Sequence, residues 1–407
     1  MSKNKVKTEV KETKSFLNPS TITAGFVAVL VGYASSAIIV YQAAMAAQAN
    51  TEQAISWLMV LGLGMGISSI VLSLTHKMPI FMAWSTPGAA LLVTSLDGVN
   101  INEAVGVFLF SSFLILLCGL TKLFERFTQY IPLSLANALL AGVLFQFGLN
   151  VFVSLESQLM LGSVMLLSFF ILRSFIPLYT IPLVLLIGCV MAYFNGSFDL
   201  SGLQLGISMP VWTTPEFDLM ACISVGIPLF VITMASQNMP GVAVLKAHGY
   251  KPPVSKLINA TGLTGLVFGP FGGFAYNLSA ITAAICMSDS AGRDDIRPYY
   301  STIWGGIFYL IAGLFAAAVV TLFAAFPKEL VMIIAGLALL NTITHSLSET
   351  VKDENDRDIA VLTFIVTASG FSLFQIGSAF WAVLLGMTLY HLKHFKLDWK
   401  QMLNFAK

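Results

Sequence analysis

The stretch "MPIFMAWSTPGAALL", Met78 to Leu92, does not read as one helix. Pro79 opens it, bulky residues run to Trp84, and Ser85-Thr86-Pro87-Gly88 then precede a small, apolar run. Thr86 suits an N-cap and Pro87 the first helical position, where a missing N–H does no harm. The segment therefore predicts extended backbone over 79–84 and a new helix from Ser85 to about Asp97. Each part covers about 20 Å, at roughly 3.3 Å per extended and 1.5 Å per helical residue. Together they span a hydrocarbon core of about 30 Å with the break near its middle.

That the surroundings are lipid follows from composition. The 407 residues are 57% hydrophobic and 10% charged, with a mean hydropathy of +0.84. A soluble domain carries about 25% charged residues, so an all-α polytopic membrane protein is the class that fits. A net charge of +1 gives no footing for a nucleic-acid partner. The four cysteines fall in apolar runs without CxxC spacing and read as small core residues, not metal ligands. Gly62, Gly64 and Gly66 fit helix packing better than a dinucleotide fingerprint, and HExxH, Walker A and GxSxG motifs are absent. No enzyme activity, catalytic residue, cofactor or metal is expected.

Fourteen apolar runs are candidate spans: 20–48, 52–75, 78–97, 102–121, 128–151, 156–173 and 177–195, then 217–239, 253–269, 274–289, 299–325, 328–349, 356–375 and 377–394. No signal peptide is expected, because the lysine-rich "MSKNKVKTEVKETKS" precedes the first run. With that tail (1–18) in the cytosol and sides alternating, every Lys and Arg except Lys328 falls inside. The positive-inside rule thus supports both the count and cytoplasmic termini, in a bacterial inner membrane. No carboxylate, lysine or arginine falls at a predicted midplane, so recognition at depth must rely on dipoles and neutral groups.

The connecting loop 196–216, expected to be periplasmic, divides the chain into repeats 19–195 and 217–394, followed by a cytosolic tail, 395–407. Seven spans on each side permit an inverted repeat. The third span of the second half, "GPFGGFAYNLSAITAAIC" (Gly269–Cys286), matches the opening stretch in kind. Gly272-Gly273 suit irregular backbone, and Asn277 or Ser279 can cap "AITAAI". Short strands in segments 3 and 10 would pair, and two helix N-termini would then meet near the bilayer centre. Each carries about half a positive charge, so together they suit an anion without any lysine. Packing kinks are the plainer alternative for either break alone.

Other polar groups share this depth. Tyr33 and Ser36 in span one are candidates either for lining a site or for helix packing. Gln237 and Asn238 in span eight need partners, foremost from a ligand or else from span ten. Trp84, Phe81, Phe271, Phe274 and Tyr276 beside the breaks would suit an aromatic ring on an anionic head. His345 and Glu349, four apart near the inner end of span twelve, are expected to form a surface salt bridge, with a proton relay as the alternative.

"AGFVAVLVGYASSA" (24–37), the opening stretch, "ASQNMPGVAVLKAHGY" (235–250) and "GGFAYNLSAITAAIC" (272–286) resemble the bacterial benzoate:proton symporter family, BenE. More distantly, the 7+7 layout is similar to that of nucleobase:cation symporters and sulfate-type anion transporters. The resemblance implies a core domain of spans 1–4 and 8–11 and a gate domain of spans 5–7 and 12–14. It also implies elevator-like movement of core against gate, with a homodimer through the gate. The implied activity is proton-coupled uptake of an aromatic carboxylate such as benzoate. Its head would sit between Thr86 and Asn277, with Ser85 and Ser279 nearby. Gln237 and Asn238 would add hydrogen bonds, and Trp84 and Tyr276 would flank the ring. The nucleobase relatives use glutamates in spans eight and ten, where this chain has Ser236-Gln237-Asn238 and Tyr276-Asn277. That departure suits an anion and leaves the proton carrier unassigned. An exchanger or channel for another small anion or a nucleobase-like substrate is the nearest rival, and a membrane sensor without flux a remote one.

Overall fold

Asn18 starts the first embedded helix: its side-chain oxygen accepts from Ser20 N at 3.0 Å, and Pro19 takes the first helical position. The structure is a computed structural model that describes residues 16–96, 98–124, 132–197, 206–287, 299–373 and 376–405. The basic tail to residue 15, loop residues 198–205, and Asp97, Arg126, Asp289, Arg293, Arg297 and Lys407 lie outside the described residues.

Helix α1 is Pro19–Ala46, and α2 is Thr51–His76, opened by a reciprocal Asn50–Gln53 capping box. Strand β1, Met82–Trp84, leads into α3, Thr86–Ser95, and then α4, Ile101–Leu120. Helices α5 (Leu133–Ser157), α6 (Leu159–Phe175) and α7 (Thr180–Phe194) complete the first half. The second half begins with α8, Leu219–Ala247, and α9, Val254–Phe268. Strand β2, Tyr276–Leu278, precedes the short α10, Ile281–Cys286. Then come α11 (Tyr299–Leu314), α12 (Ala316–Ala324), α13 (Lys328–Lys352), α14 (Arg357–Ala368) and α15 (Ser378–Phe405).

Against fourteen expected spans, six helices among the described residues are each long and apolar enough to cross a bilayer: α1, α2, α4, α5, α8 and α13. The pair α11–α12, bent by 58°, makes a seventh. Apart from α15, which is 28 residues long, the other segments are shorter or broken, as segments 3 and 10 are.

Span eight runs further than its sequence suggests. Pro240 does not end it; the helix passes through two π-helical stretches, Cys222–Gly226 and Thr233–Asn238, and continues to Ala247. Each wide turn lies just before a proline, Pro228 or Pro240, where a tight turn would drive the ring into the carbonyl four residues back. Gln237 and Asn238 therefore sit on a π-bulge inside a helix.

Small residues bring the embedded helices together. Helix α2 lies along α11, with a Cβ at Gly62 reaching 2.8 Å from Gly313 Cα and one at Gly66 2.7 Å from the Gly306 carbonyl. Helix α4 lies along α9 through Gly119 and Gly262 in the same manner. Helices α5 and α13 pack antiparallel, Ser157 Oγ reaching Glu329 Oε1 at 3.3 Å at one end. The free cysteines Cys118, Cys222 and Cys286 are buried, as expected of core residues, and Cys189 is half-buried.

Candidate functional site

The two broken segments meet. Strands β1 and β2 pair antiparallel with Ala83 opposite Asn277, which satisfies backbone groups that lipid could not. Ser85 N to Ala275 O at 3.0 Å and Ser279 N to Phe81 O at 2.9 Å extend the ribbon by one bond at each end. The extended stretch is thus shorter than 79–84.

The first cap differs by one position from expectation, and the second falls on one of the two expected residues. Ser85, not Thr86, is the N-cap of α3: its Oγ accepts from Gly88 N at 2.9 Å, and Thr86 and Pro87 are the first two helical residues. Only Ser85 has the extended backbone a cap requires (φ −78°, ψ 100°). On the other side Asn277 is a strand residue, and Ser279 is the capping hydroxyl, accepting from Thr282 N at 3.3 Å.

Between these tips opens a cavity of about 630 Å³. Its walls bring together Trp84, Thr86, Ser36, Gln237 and Ser279 of the expected set. Ser36 holds the tryptophan in place: its hydroxyl accepts the Trp84 indole N–H at 2.9 Å and donates to the Gly32 carbonyl at 2.8 Å. Tyr33 stands edge-on to Trp84 at 5.0 Å, one layer behind the wall.

Four other expected residues turn away or are used by the fold. Tyr276 is not in the cavity wall; its hydroxyl donates to the Val60 carbonyl at 2.7 Å beside Gly64. Asn238 serves the strand: its Oδ1 accepts from Leu278 N at 3.0 Å and its amide donates toward Met234 Sδ. Asn277 is fully buried and donates to the Ala275 carbonyl at 3.1 Å. Ser85 is occupied as a cap. Phe274 packs with Trp57 and Phe108, and Phe271 with Trp212, so neither reaches the cavity.

The cavity also holds residues the sequence did not single out for it. Tyr309 of α11 lines it, edge-on to Phe81 at 5.4 Å. From the facing pair come Leu133, Asn137 and Leu140 of α5, and Asn341, His345 and Glu349 of α13. The expected His345–Glu349 bridge is not formed; Glu349 Oε1 accepts from Lys352 Nζ at 2.8 Å. Among the described residues, no lysine or arginine lines this cavity.

A second cavity, about 780 Å³, lies at the other end of α3, with Leu91, Thr94 and Ser95 in its wall. Its carboxylates are helix caps: Asp218 accepts from Ala221 N at 2.7 Å and Glu103 from Asn100 N at 3.1 Å. Helix α3 therefore has its N-terminus in one cavity and its C-terminus in the other.

Residues 15–392 match the family model of BenE, the benzoate membrane transport protein. The chain is 48% identical over 372 residues to the inner membrane protein YdcO of Escherichia coli strain K12, covering 91% of this chain and 95% of that one. It is 36% identical over 383 residues to a benzoate membrane transport protein of Acinetobacter baylyi, covering 94% and 97%. In fold it is similar to the transmembrane domain of the cyanobacterial bicarbonate transporter BicA (TM-score 0.62, 14% identity, covering 90% and 97%). SLC26A9 gives a TM-score of 0.60 at 13% identity, over 91% of this chain and 65% of that one. The family is one of membrane transport proteins, not enzymes. The chain belongs to the BenE family of benzoate membrane transport proteins.

Proposed function

We propose that this protein takes up benzoate or a related aromatic carboxylate across a bacterial inner membrane, with one proton accompanying each anion. The observation that carries the reading is the lysine-free cavity at the tips of α3 and α10, with Trp84 beside the tips and Gln237 on the opposing π-bulge. Helix N-termini attract a carboxylate, and an indole edge held by Ser36 offers an apolar surface to the ring. Membership of a benzoate transport family supports the same substrate class.

The fourteen-segment 7+7 arrangement, with both termini cytoplasmic, is part of this proposal. An inverted repeat requires every contact to have a mate in the other half. The pairing of α2 with α11 and of α4 with α9 obeys that exchange, as do β1 with β2 and α5 with α13. In this arrangement the tips belong to a core and α5 and α13 to a gate, and the core slides to expose the site alternately at the two cavities. Protein reconstituted into liposomes tests the function. Labelled benzoate accumulates when the outside is acidic and not when the gradient is absent; accumulation without the gradient would indicate an exchanger or channel.

A further inference from the structure

Across the cavity from the strand tips, α13 presents Asn341 and His345 one turn apart, with Glu349 a turn beyond. Histidine within a membrane segment faces a cavity or a partner rather than lipid. Here the His345 imidazole is the cavity's only one among the described residues, and no described hydrogen bond or ion pair occupies it. The cavity has the volume of pockets that hold drug-sized ligands, about 300–1,000 Å³, so a benzoate at the tips fills only part of it.

We propose that His345 and Asn341 form a second, gate-side subsite for the aromatic carboxylate, strong when the imidazole is protonated and weak when it is neutral. The proposal rests on the benzoate reading above. Its consequence is a brake: a symporter that brings a proton with each anion acidifies the side it fills. The imidazolium then keeps the departing anion at α13, and turnover slows.

The charges around this imidazole are few. On its own helix are Glu349 and Lys352, bound to each other at 2.8 Å. Lys328 and Glu329 are at the far end of α13, and α5 brings only Glu156, at that same far end. Helix α1 brings Tyr33, edge-on to Trp84, and Tyr41, tilted against Phe323, and α11 brings Tyr309 in the cavity wall. Arg173 of α6 sits over the Phe169 ring, and α7 contributes Tyr193. Helix α14 contributes Asp358 and Arg357, the latter paired with Glu354. Among the described residues, no lysine or arginine of the cavity wall competes with the imidazolium for the carboxylate.

The test is exchange of labelled benzoate in proteoliposomes held at equal pH on both sides, scanned from about 7.5 to 5.5 across the imidazole range. Wild type slows several-fold toward the acid end relative to its own rate at about pH 7.5, while H345Q, whatever its rate at neutral pH, loses that acid slowing. N341D, with a carboxylate beside the imidazole, shrinks it and checks the subsite without altering His345. Equal acid slowing in H345Q or N341D and wild type overturns the subsite alone. Absence of benzoate exchange by wild type at every pH overturns the benzoate reading, and the subsite with it.

Discussion

The side-chain oxygen of Asn238 accepts the backbone N–H of Leu278 at 3.0 Å, so a residue of the α8 π-bulge closes the outer edge of β2. Its neighbour Gln237 faces the cavity instead. Two adjacent amides thus have different work, and substitution separates them. Asn238→Leu leaves a buried N–H unpaired, which costs about 1–3 kcal/mol, and lowers the melting temperature in detergent. Gln237→Leu leaves melting unchanged and weakens benzoate uptake at least several-fold.

The indole of Trp84 depends on Ser36 for its only described acceptor. Ser36→Ala removes a hydrogen bond worth about 0.5–1.5 kcal/mol net. The half-saturating benzoate concentration rises several-fold while the maximal rate changes little. Initial-rate measurements in proteoliposomes read both.

Thr86 is the first helical residue of α3 and stands in the cavity wall. A carboxylate there suits a helix N-terminus, by about 0.3–1 kcal/mol, yet repels an anionic substrate. Thr86→Asp therefore folds and melts like wild type but loses uptake, whereas Thr86→Asn, similar in size and neutral, retains it.

A Cβ at Gly64 would lie 2.6 Å from the Tyr276 ring, whose hydroxyl is bonded to the Val60 carbonyl. Gly64→Ala forces the ring and β2 to shift, at a cost of about 1–3 kcal/mol for overpacking. The double variant with Tyr276→Leu recovers part of the lost melting temperature, because the smaller side chain makes room.

The break at Ser85-Thr86-Pro87 was legible because cap and proline chemistry are local, and its match in the second half made strand pairing predictable. The same locality explains the errors. Whether Ser85 or Thr86 caps depends on where the extended backbone stops, and Ser85 N bonds to Ala275, which is remote in sequence. Tyr276 and Trp84 stand opposite each other in the ribbon, yet their neighbours differ: Val60 and Gly64 for one, Ser36 and Tyr33 for the other. No sequence period reports that. His345 and Glu349 did share a helix face as their spacing required, but only packing against α5 turns that face toward a cavity.

The central claim is that benzoate sits at the paired tips, and protection of a thiol there tests it most directly. In a background with the four native cysteines replaced, Thr86→Cys and Ser279→Cys are treated with a small thiol reagent, with Ser95→Cys in the other cavity as control. Benzoate slows labelling of the first two in a saturable manner, at concentrations that saturate uptake, and leaves the third unchanged. Labelling of both tips at an undiminished rate in saturating benzoate, by protein that still transports it, would contradict the account.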